Sequence, residues 1–339
     1  MKNLFHMVCM GAVVLFLFSG CVKKEGAGET GEVVGHLDLN YAYGVAVSGD
    51  YVYVACKTNG VYVVDISDVS SPAEGENLAP SGIDARRVFV DGSRLYVAGF
   101  DAGLFIYDIS NPANPSLLGT YTEDTLNVNN VYASGDKAYV VGGYSQDGGI
   151  VVLNVSDPSN PTVEARYRNE NPEETNRGYQ SIWVDGNYVY AGTNGGYLHI
   201  LELPDLTLKG TYYNPGTPGH EPWLWDITVA EGKAYLADWG AGLIVVDVSN
   251  PEQPTQLGVF TEATDGPNFY GVVLDGNTLY TANGWGGVVV LDVSDPANMK
   301  MTLEVNPENA SYLDIALSGN YVLVPNNGSP QGLDIIKIK

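Results

Sequence analysis

The residue types that most often carry catalysis or hold metals are few in this sequence and lie far apart. Its four histidines are His6, His36, His199 and His220, and it has three cysteines. The sequence holds no Gly-x-Ser-x-Gly nucleophile motif, phosphate-binding loop or EF-hand spacing. From motifs alone we therefore predict no catalytic residue, no clustered metal site and no bound cofactor.

A second candidate for chemistry is a set of mostly polar residues that recurs in front of short apolar runs. The set consists of Gly44, Arg87, Asn130, Ser181, Asp226, Gly271 and Asp314. If the set surrounds one axis, Arg87 together with Asp226 and Asp314 could hold a small zwitterion. Two other interpretations stay open, a structural ion network and a solvated channel lining. Arg86 and Gln180, beside the set, share this ambiguity.

Aromatic residues supply a third candidate, a contact surface. Trp239 and Trp285 lie in nearly equivalent loops, while Trp223 and Trp225 begin one strand. Aromatic side chains in loops expose apolar area, which favours a surface for a sugar, a peptide or a protein. The alternative for each tryptophan is packing over a sheet edge. Further candidates near these loops are Phe100, Tyr144 and His220.

The composition excludes whole classes of protein. The 339 residues include 40 acidic and 16 basic side chains, which gives a net charge of −24. A nucleic-acid partner is excluded because a phosphate backbone needs a basic surface. An apolar fraction of 45% with 17% charged residues indicates a folded chain. Three cysteines are too few for a disulfide framework.

The elements that position these candidates follow from an internal repeat. One strand pattern recurs every 43 to 51 residues, at Tyr53, Tyr96, Tyr139, Tyr190, Tyr235, Tyr280 and Leu323. A glycine before an apolar run recurs at similar spacing, at Gly60, Gly103, Gly149, Gly196, Gly242, Gly287 and Gly332. Two independent patterns in phase indicate seven repeated units.

Each unit carries four short strand signals and no helical period. Tight glycine turns such as Asp91-Gly92 join the first two strands. Four antiparallel strands in roughly 44 residues, repeated around a ring, are typical of a propeller blade. We therefore predict an all-β fold, a seven-bladed β-propeller of four-stranded antiparallel blades, over residues 32–339.

The two ends of the repeat predict how the ring closes. The last unit stops with a third strand in residues 332–339, whereas residues 32–37 match the pattern of a fourth strand. We expect the N-terminal strand to join the last blade, which removes an exposed sheet edge.

The loops of such blades divide between two faces. The loops between strands one and two, and between three and four, are short glycine and Ser-Asx-Pro turns. The loops between strands two and three, and the connections between blades, vary and include the insertion at 168–178. Loops on a rigid scaffold are where recognition usually lies. The variable side, which we call the loop face, is the predicted binding face.

Three apolar strands ending in aspartate, Leu104–Asp108, Leu243–Asp247 and Val288–Asp292, resemble the core of the LVIVD repeat family. The turns at 108–112 and 292–296 strengthen the resemblance. It covers essentially all of residues 32–339 and implies a β-propeller of a bacterial or archaeal cell surface, with no defined activity. The sequence departs from the aspartate at Asn154, Glu202 and Lys337.

The repeated aspartate invites a metal site, but we assign it to turn structure. Asp65, Asp108, Asp247 and Asp292 each end a strand and precede a polar turn. Short polar side chains at such positions hydrogen-bond the local backbone.

The N-terminus predicts a cellular address. Lys2 and an apolar run over 8–18 form a signal peptide in residues 1–20. The residues 18–21, ending in Cys21, resemble a bacterial lipobox, which implies cleavage before Cys21 and its lipidation. A plain signal peptide with an incidental cysteine is the alternative. Residues 21–31 then form the lipidated end and a flexible tether. We expect an extracytoplasmic lipoprotein held at a membrane.

Function is constrained less than the fold. The leading hypothesis is a non-catalytic, membrane-anchored binding module for an envelope protein, a peptide or a surface glycan. The runner-up is a propeller enzyme, a hydrolase, lyase or quinone-type oxidoreductase, with acids at the channel mouth and His220 or Arg87. A third hypothesis is assembly of an envelope complex.

Overall fold

The computed structural model describes residues 31–78, 83–123, 126–143, 149–169, 171, 178–216, 220–263 and 266–338. The predicted signal peptide, the predicted lipidation site at Cys21 and Tyr144 lie outside the described residues. Among those that are described, no helix is long and apolar enough to cross a membrane.

The described residues form 28 strands in seven four-stranded antiparallel sheets. The first strands are β1 Glu32–Asp38, β2 Gly44–Ser48, β3 Tyr51–Ala55, β4 Val61–Asp65, β5 Ala73–Asn77, β6 Arg87–Asp91, β7 Arg94–Ala98, β8 Leu104–Asp108 and β9 Ser116–Tyr121. They are followed by β10 Val128–Ser134, β11 Lys137–Gly142, β12 Gly149–Asn154, β13 Thr162–Tyr167, β14 Tyr179–Asp185, β15 Tyr188–Thr193, β16 Tyr197–Glu202 and β17 Thr207–Tyr213. The rest are β18 Leu224–Ala230, β19 Lys233–Asp238, β20 Gly242–Asp247, β21 Thr255–Phe260, β22 Gly271–Asp275, β23 Thr278–Ala282, β24 Val288–Asp292, β25 Lys300–Val305, β26 Ala316–Ser318, β27 Tyr321–Asn326 and β28 Gly332–Lys337.

The sheets follow one another along the chain as blades 1 to 7, and the predicted ring closure is confirmed. Blade 1 is β2-β3-β4-β5, and each later blade takes the next four strands, up to β22-β23-β24-β25 in blade 6. Blade 7 has the order β1-β28-β27-β26, so its outer strand comes from the N-terminal end of the domain. Residues Glu32 to Asp38 pair antiparallel with Lys337 to Gly332. The predicted seven-bladed β-propeller is therefore correct.

The hydrophobic core lies between the blades rather than at the centre of the ring. Among the described residues, seven clusters of buried side chains occur, one at each boundary between neighbouring blades. The cluster between blades 7 and 1 joins Leu333 and Ile335 of β28 to Val52 and Val54 of β3. The inner strands are apolar on both faces because each sheet packs against a neighbour on either side.

A glycine in several outer strands brings neighbouring blades into backbone contact. A Cβ atom at Gly119 of β9 would lie 2.1 Å from the carbonyl oxygen of Pro158 in blade 3. At Gly258 of β21 the corresponding distance, to Pro296 of blade 6, is 1.9 Å. The Ser-Asx-Pro turn of one blade thus packs on the outer strand of the blade before it, and only glycine leaves room.

The repeated aspartates have the predicted turn geometry. The carboxylate of Asp65 accepts the backbone N–H of Ser67 at 2.8 Å, and Asp247 accepts that of Ser249 at 2.9 Å. Hydrogen bonds from the backbone and side chain of Ser67 lower the pKa of Asp65, and those from the side chain and backbone of Ser249 lower that of Asp247. The assignment to turn structure is therefore confirmed.

Candidate functional site

The polar set predicted from the sequence lies at one end of the central channel. Gly44, Arg87 and Gly271 begin inner strands of their blades, and Asp226 is the third residue of β18. Inner strands of neighbouring blades contact one another around the axis. The chain enters each inner strand from a connection between two blades, and these connections belong to the loop face. This end of the channel therefore opens on the loop face. We call it the channel mouth.

Arg87 and Asp314 form a buried ion pair at the channel mouth. Arg87 Nη1 lies 2.6 Å from Asp314 Oδ1, and the two residues are 5% and 6% exposed. Arg87 belongs to blade 2 and Asp314 to blade 7, so the pair reaches past blade 1. The residue of the set in blade 1 is Gly44, where a Cβ atom would lie 2.5 Å from the carbonyl oxygen of Arg86.

The two carboxylates also join neighbouring blades through the backbone. Asp314 accepts the N–H groups of Ile315 at 2.9 Å and of Val45, in blade 1, at 3.0 Å. Asp226 accepts those of Ile227 at 3.0 Å and of Val272, in blade 6, at 3.1 Å. Each carboxylate therefore satisfies one N–H of its own strand and one of the next blade.

Two neutral members of the set make the same kind of contact. Asn130 donates to the carbonyl oxygen of Gln180 at 3.3 Å, and Ser181 donates to that of Leu224 at 2.8 Å. Polar residues at this position therefore connect blades wherever they occur. This contact explains why the set is polar although its surroundings are apolar.

The charges at the channel mouth influence one another strongly. Burial disfavours the charge of Arg87, but Asp314 and Asp226 outweigh it and raise the pKa of the guanidinium. Burial raises the pKa of Asp226 well above the ordinary range of an aspartate, with Arg87 opposing and Asp314 adding to the rise. Asp226 therefore gains a proton at a higher pH than a solvated aspartate does.

An aromatic patch lies next to these charges. We define it as five partly exposed residues, Tyr43, Trp223, Trp225, Trp239 and Tyr270. Trp225 is at its centre, with ring centroids 5.1 Å from Tyr270, 5.7 Å from Trp223 and 6.4 Å from Tyr43. Trp223 lies 5.7 Å from Trp239. Tyr43 and Trp225 belong to blades 1 and 5, which are not neighbours, so their side chains meet over the channel mouth.

β-Bulges direct the residue in front of the polar set toward the channel. The pairing of β18 with β19 shifts between Leu224 and Asp226, which makes Trp225 the bulged residue. Gln180 is the bulged residue of β14 in the same way. A bulge turns one side chain away from the alternation of the strand. Trp225 therefore lies over the channel mouth instead of packing between blades.

A buried carboxylate supports the loop that carries Trp239. Asp238 is fully buried and accepts hydrogen bonds from Asn214 Nδ2 at 3.0 Å and from the N–H of Ala241 at 3.1 Å. Burial raises the pKa of Asp238 to about 7. Trp239 itself pairs with Asn268 of the next blade through a backbone bridge. The Asp238 carboxylate and the bridge to Asn268 therefore hold the backbone that carries the Trp239 ring.

Of the remaining predicted site residues, some contact the aromatic patch and others do not. His220 is exposed and joins the edge of the patch, 6.1 Å from Trp239 between ring centroids. Phe100 lies under the Arg86 guanidinium, at 3.4 Å from its ring centroid. Trp285 is 62% exposed and makes no ring contact within the described part of the chain. The sequence treated Trp239 and Trp285 as equivalent, but Trp239 alone reaches the patch.

Sequence reasoning missed Tyr43 and Tyr270. Both stand directly in front of a member of the polar set, as Trp225 does. That shared position was the signal that could have found them. Lys57 was missed too, and its ammonium lies 4.5 Å above the Tyr43 ring. In the described ranges, no group of three or more His, Cys, Asp or Glu side chains is placed to hold a metal ion.

Solved structures share the fold at low sequence identity. The WD40 β-propeller domain of Doa1 has a TM-score of 0.69 at 14% identity, with 92% of this chain and 97% of that chain covered. A chain of the Mitotic Checkpoint Complex gives 0.68 at 15%, with 97% and 98% covered. The computationally designed Ika8 protein gives 0.61 at 12%, with 94% and 95% covered. At such identities the likeness shows the fold alone.

The sequence itself identifies the family. None of the curated proteins compared with the sequence matches it. The model of the LVIVD repeat matches six segments that together make up more than half of the chain, at residues 40–79, 82–123, 127–169, 177–212, 224–261 and 270–307. The strands of blade 7 lie outside these segments, with β1 before the first and β26 to β28 after the last. The chain belongs to the LVIVD repeat family.

Proposed function

We propose that the protein is a membrane-anchored, extracytoplasmic binding module that holds a protein, a peptide or a surface glycan on its loop face. The observation that carries the proposal is the aromatic patch, where five partly exposed rings from blades 1, 5 and 6 converge on the channel mouth. Aromatic rings of this kind stack on sugar rings and on peptide side chains.

The charges beneath the patch favour binding over catalysis. A general acid or base must reach the proton that it transfers. Asp226 and Asp314 instead have both carboxylate oxygens engaged with backbone N–H groups, and Asp314 also binds Arg87. These contacts support a role in holding the blades together around the mouth.

The net charge of the protein disfavours some classes of binding partner. At −24 the chain repels anionic polymers at low ionic strength. A neutral glycan, or a neutral or basic peptide, meets no such barrier and can use the aromatic rings. We propose that partners of this kind bind the loop face.

Tryptophan fluorescence tests the binding proposal directly. Three of the five tryptophans belong to the patch, so a ligand that stacks there should shift the emission of the purified full chain. We expect a response to members of a panel of neutral oligosaccharides and peptides. The double variant W223A/W239A should lose at least tenfold in affinity while its circular dichroism spectrum is unchanged.

Trp285→Ala is the matched control, because it removes a tryptophan from the same face but outside the patch. It should bind as the parent does. Equal affinity of W223A/W239A and the parent, or a failure of every neutral panel member to bind, would contradict the proposal.

The membrane anchor is tested separately from the ligand. Cys21→Ser should move the protein from the membrane fraction to the soluble fraction, because the acyl chains implied by the lipobox would be absent. Retention of the variant on salt-washed membranes would contradict lipid anchoring.

A further inference from the structure

Several buried polar atoms at the channel mouth have no hydrogen-bond partner within the described part of the chain. They are Arg87 Nε, Arg87 Nη2, Gln180 Oε1, Trp223 Nε1 and Trp225 Nε1. Buried polar groups in folded proteins are nearly always hydrogen-bonded, so each exception needs an explanation. Each of these five atoms belongs to a member of the polar set or to one of the three residues that precede a member. A polar molecule bound against Arg87 would satisfy its two unpartnered N–H groups.

The orientation of Arg87 indicates which group of such a molecule it would bind. Nη1 is taken by Asp314 at 2.6 Å, whereas Nε and Nη2 are the unpartnered atoms. These two N–H groups form the side of the guanidinium that binds a carboxylate through two parallel hydrogen bonds. Arg87 is 5% exposed, so these two N–H groups have almost no contact with bulk water.

The charges at the channel mouth favour a cation on the same molecule. Arg87 forms no ion pair with Asp226, although the two charges interact. The positive charge of Arg87 is already balanced by Asp314, and a carboxylate alone would add to the charge of Asp226. An ammonium group near Asp226 would offset it, and the rings of Tyr43 and Trp225 favour a cation as well.

We propose that Arg87, Asp226 and Trp225 form a site for a small zwitterion of the α-amino-acid type. Its carboxylate binds Nε and Nη2 of Arg87, and its ammonium group lies between Asp226 and the aromatic rings. The site is buried beneath the surface to which a macromolecule would bind, so it goes beyond the proposed function. The ligand must be small because Tyr43 and Trp225 meet above it.

Isothermal titration calorimetry of the full chain in detergent tests this site. The probes are glycine, alanine and glycine betaine, each compared with acetate and methylamine, which carry one charge only. We expect the zwitterions to bind at least tenfold more tightly than either single-charge probe. Absence of heat from every zwitterion, or equal affinity for acetate, would overturn the proposal.

Variants of the two charged contacts identify the site. Arg87→Lys keeps the positive charge beside Asp314 but cannot form two parallel hydrogen bonds to a carboxylate. The affinity for glycine should therefore fall about ten- to hundredfold. Asp226→Asn should lower the affinity for glycine, whereas its affinity for acetate should be equal to or higher than that of the parent. Should either variant fold poorly, the double variant R87Q/D314N removes the pair without leaving a buried lone charge, and it should bind no zwitterion.

A control separates this proposal from the binding function of the loop face. W223A/W239A, which should lose the macromolecular ligand, retains Arg87, Asp226 and Trp225 and should still bind glycine within about threefold of the parent. Loss of glycine binding in W223A/W239A with an intact fold, or unchanged glycine affinity in Arg87→Lys, would contradict a zwitterion site at Arg87.

Discussion

Replacing His36 with alanine should loosen the closure of the ring, and the loss should be largest in acid. His36 lies on β1, and its Nδ1 is 2.5 Å from Asp334 Oδ1 on β28. Nε2 lies 3.1 Å from Asp38. The hydrogen bond to Asp334 raises the pKa of His36 above its ordinary value, although burial opposes the rise. The folded protein therefore favours the imidazolium.

The pH dependence follows from that direction. An imidazole whose pKa is raised by folding contributes its full stabilisation below the unfolded pKa of about 6.5, and loses it as pH rises through the folded pKa. The acceptor is a carboxylate, so deprotonation of His36 leaves a hydrogen bond to a charged group but removes the attraction of the imidazolium, on the order of 1–2 kcal/mol for a partly buried pair. The difference in the free energy of unfolding between the parent and His36→Ala should therefore shrink by about 1–2 kcal/mol between roughly pH 5.5 and pH 8.5.

Urea denaturation followed by circular dichroism at both pH values measures this difference. Comparison of two chains at one pH cancels the titration of the other carboxyl groups. His220→Ala, which removes an exposed imidazole from the loop face, should leave the free energy of unfolding nearly unchanged. A difference for His36→Ala that is constant, or that grows as pH rises, would refute the role given to the His36–Asp334 pair.

Three further changes probe the packing. Gly258→Ala should lower the free energy of unfolding by about 1–3 kcal/mol, because its Cβ meets the carbonyl oxygen of Pro296. Gly276 has open space around it but a φ of +58°, so the thermal melt of Gly276→Ala shows the cost of backbone strain without a clash. The melting temperature of Asp238→Asn should rise relative to that of the parent as the pH increases from 5 to 8. Folding raises the pKa of Asp238 to about 7, so the folded parent is destabilised as this carboxyl loses its proton. Melting temperatures of parent and variant that change in parallel with pH would argue against this reasoning. Deleting residues 32–37 should lower the melting temperature markedly, whereas an unchanged melt would mean that blade 7 does not need β1.

Most of the architecture was predictable because each unit repeats its local signals. The recurring tyrosine and glycine patterns predicted seven units, and the missing fourth strand of the last unit predicted the role of residues 32–37. Strand pairing within a blade depends on neighbouring segments joined by short turns. Such pairing is encoded in the sequence of each unit.

The candidate site was predicted only in part. The sequence predicts that Arg87, Asp226 and Asp314 lie near one another but leaves their pairing open. The structure pairs Arg87 with Asp314 and leaves Asp226 without an ion pair within the described residues. Gly44 of blade 1 allows the backbone of Arg86 and Arg87 to approach closely, since a Cβ atom there would lie 2.5 Å from the carbonyl oxygen of Arg86.

The number of blades, the turn role of the repeated aspartates and the joining of both ends of the domain in one blade can all be read from the sequence. The meeting of Tyr43 and Trp225 over the channel mouth, 182 positions apart in the chain, and the exposure of Trp285 cannot. The physical reason is that a local pattern specifies which face of a strand a residue occupies. Contacts between blades that are not neighbours depend on the curvature of the closed ring and on the bulge that turns Trp225 inward.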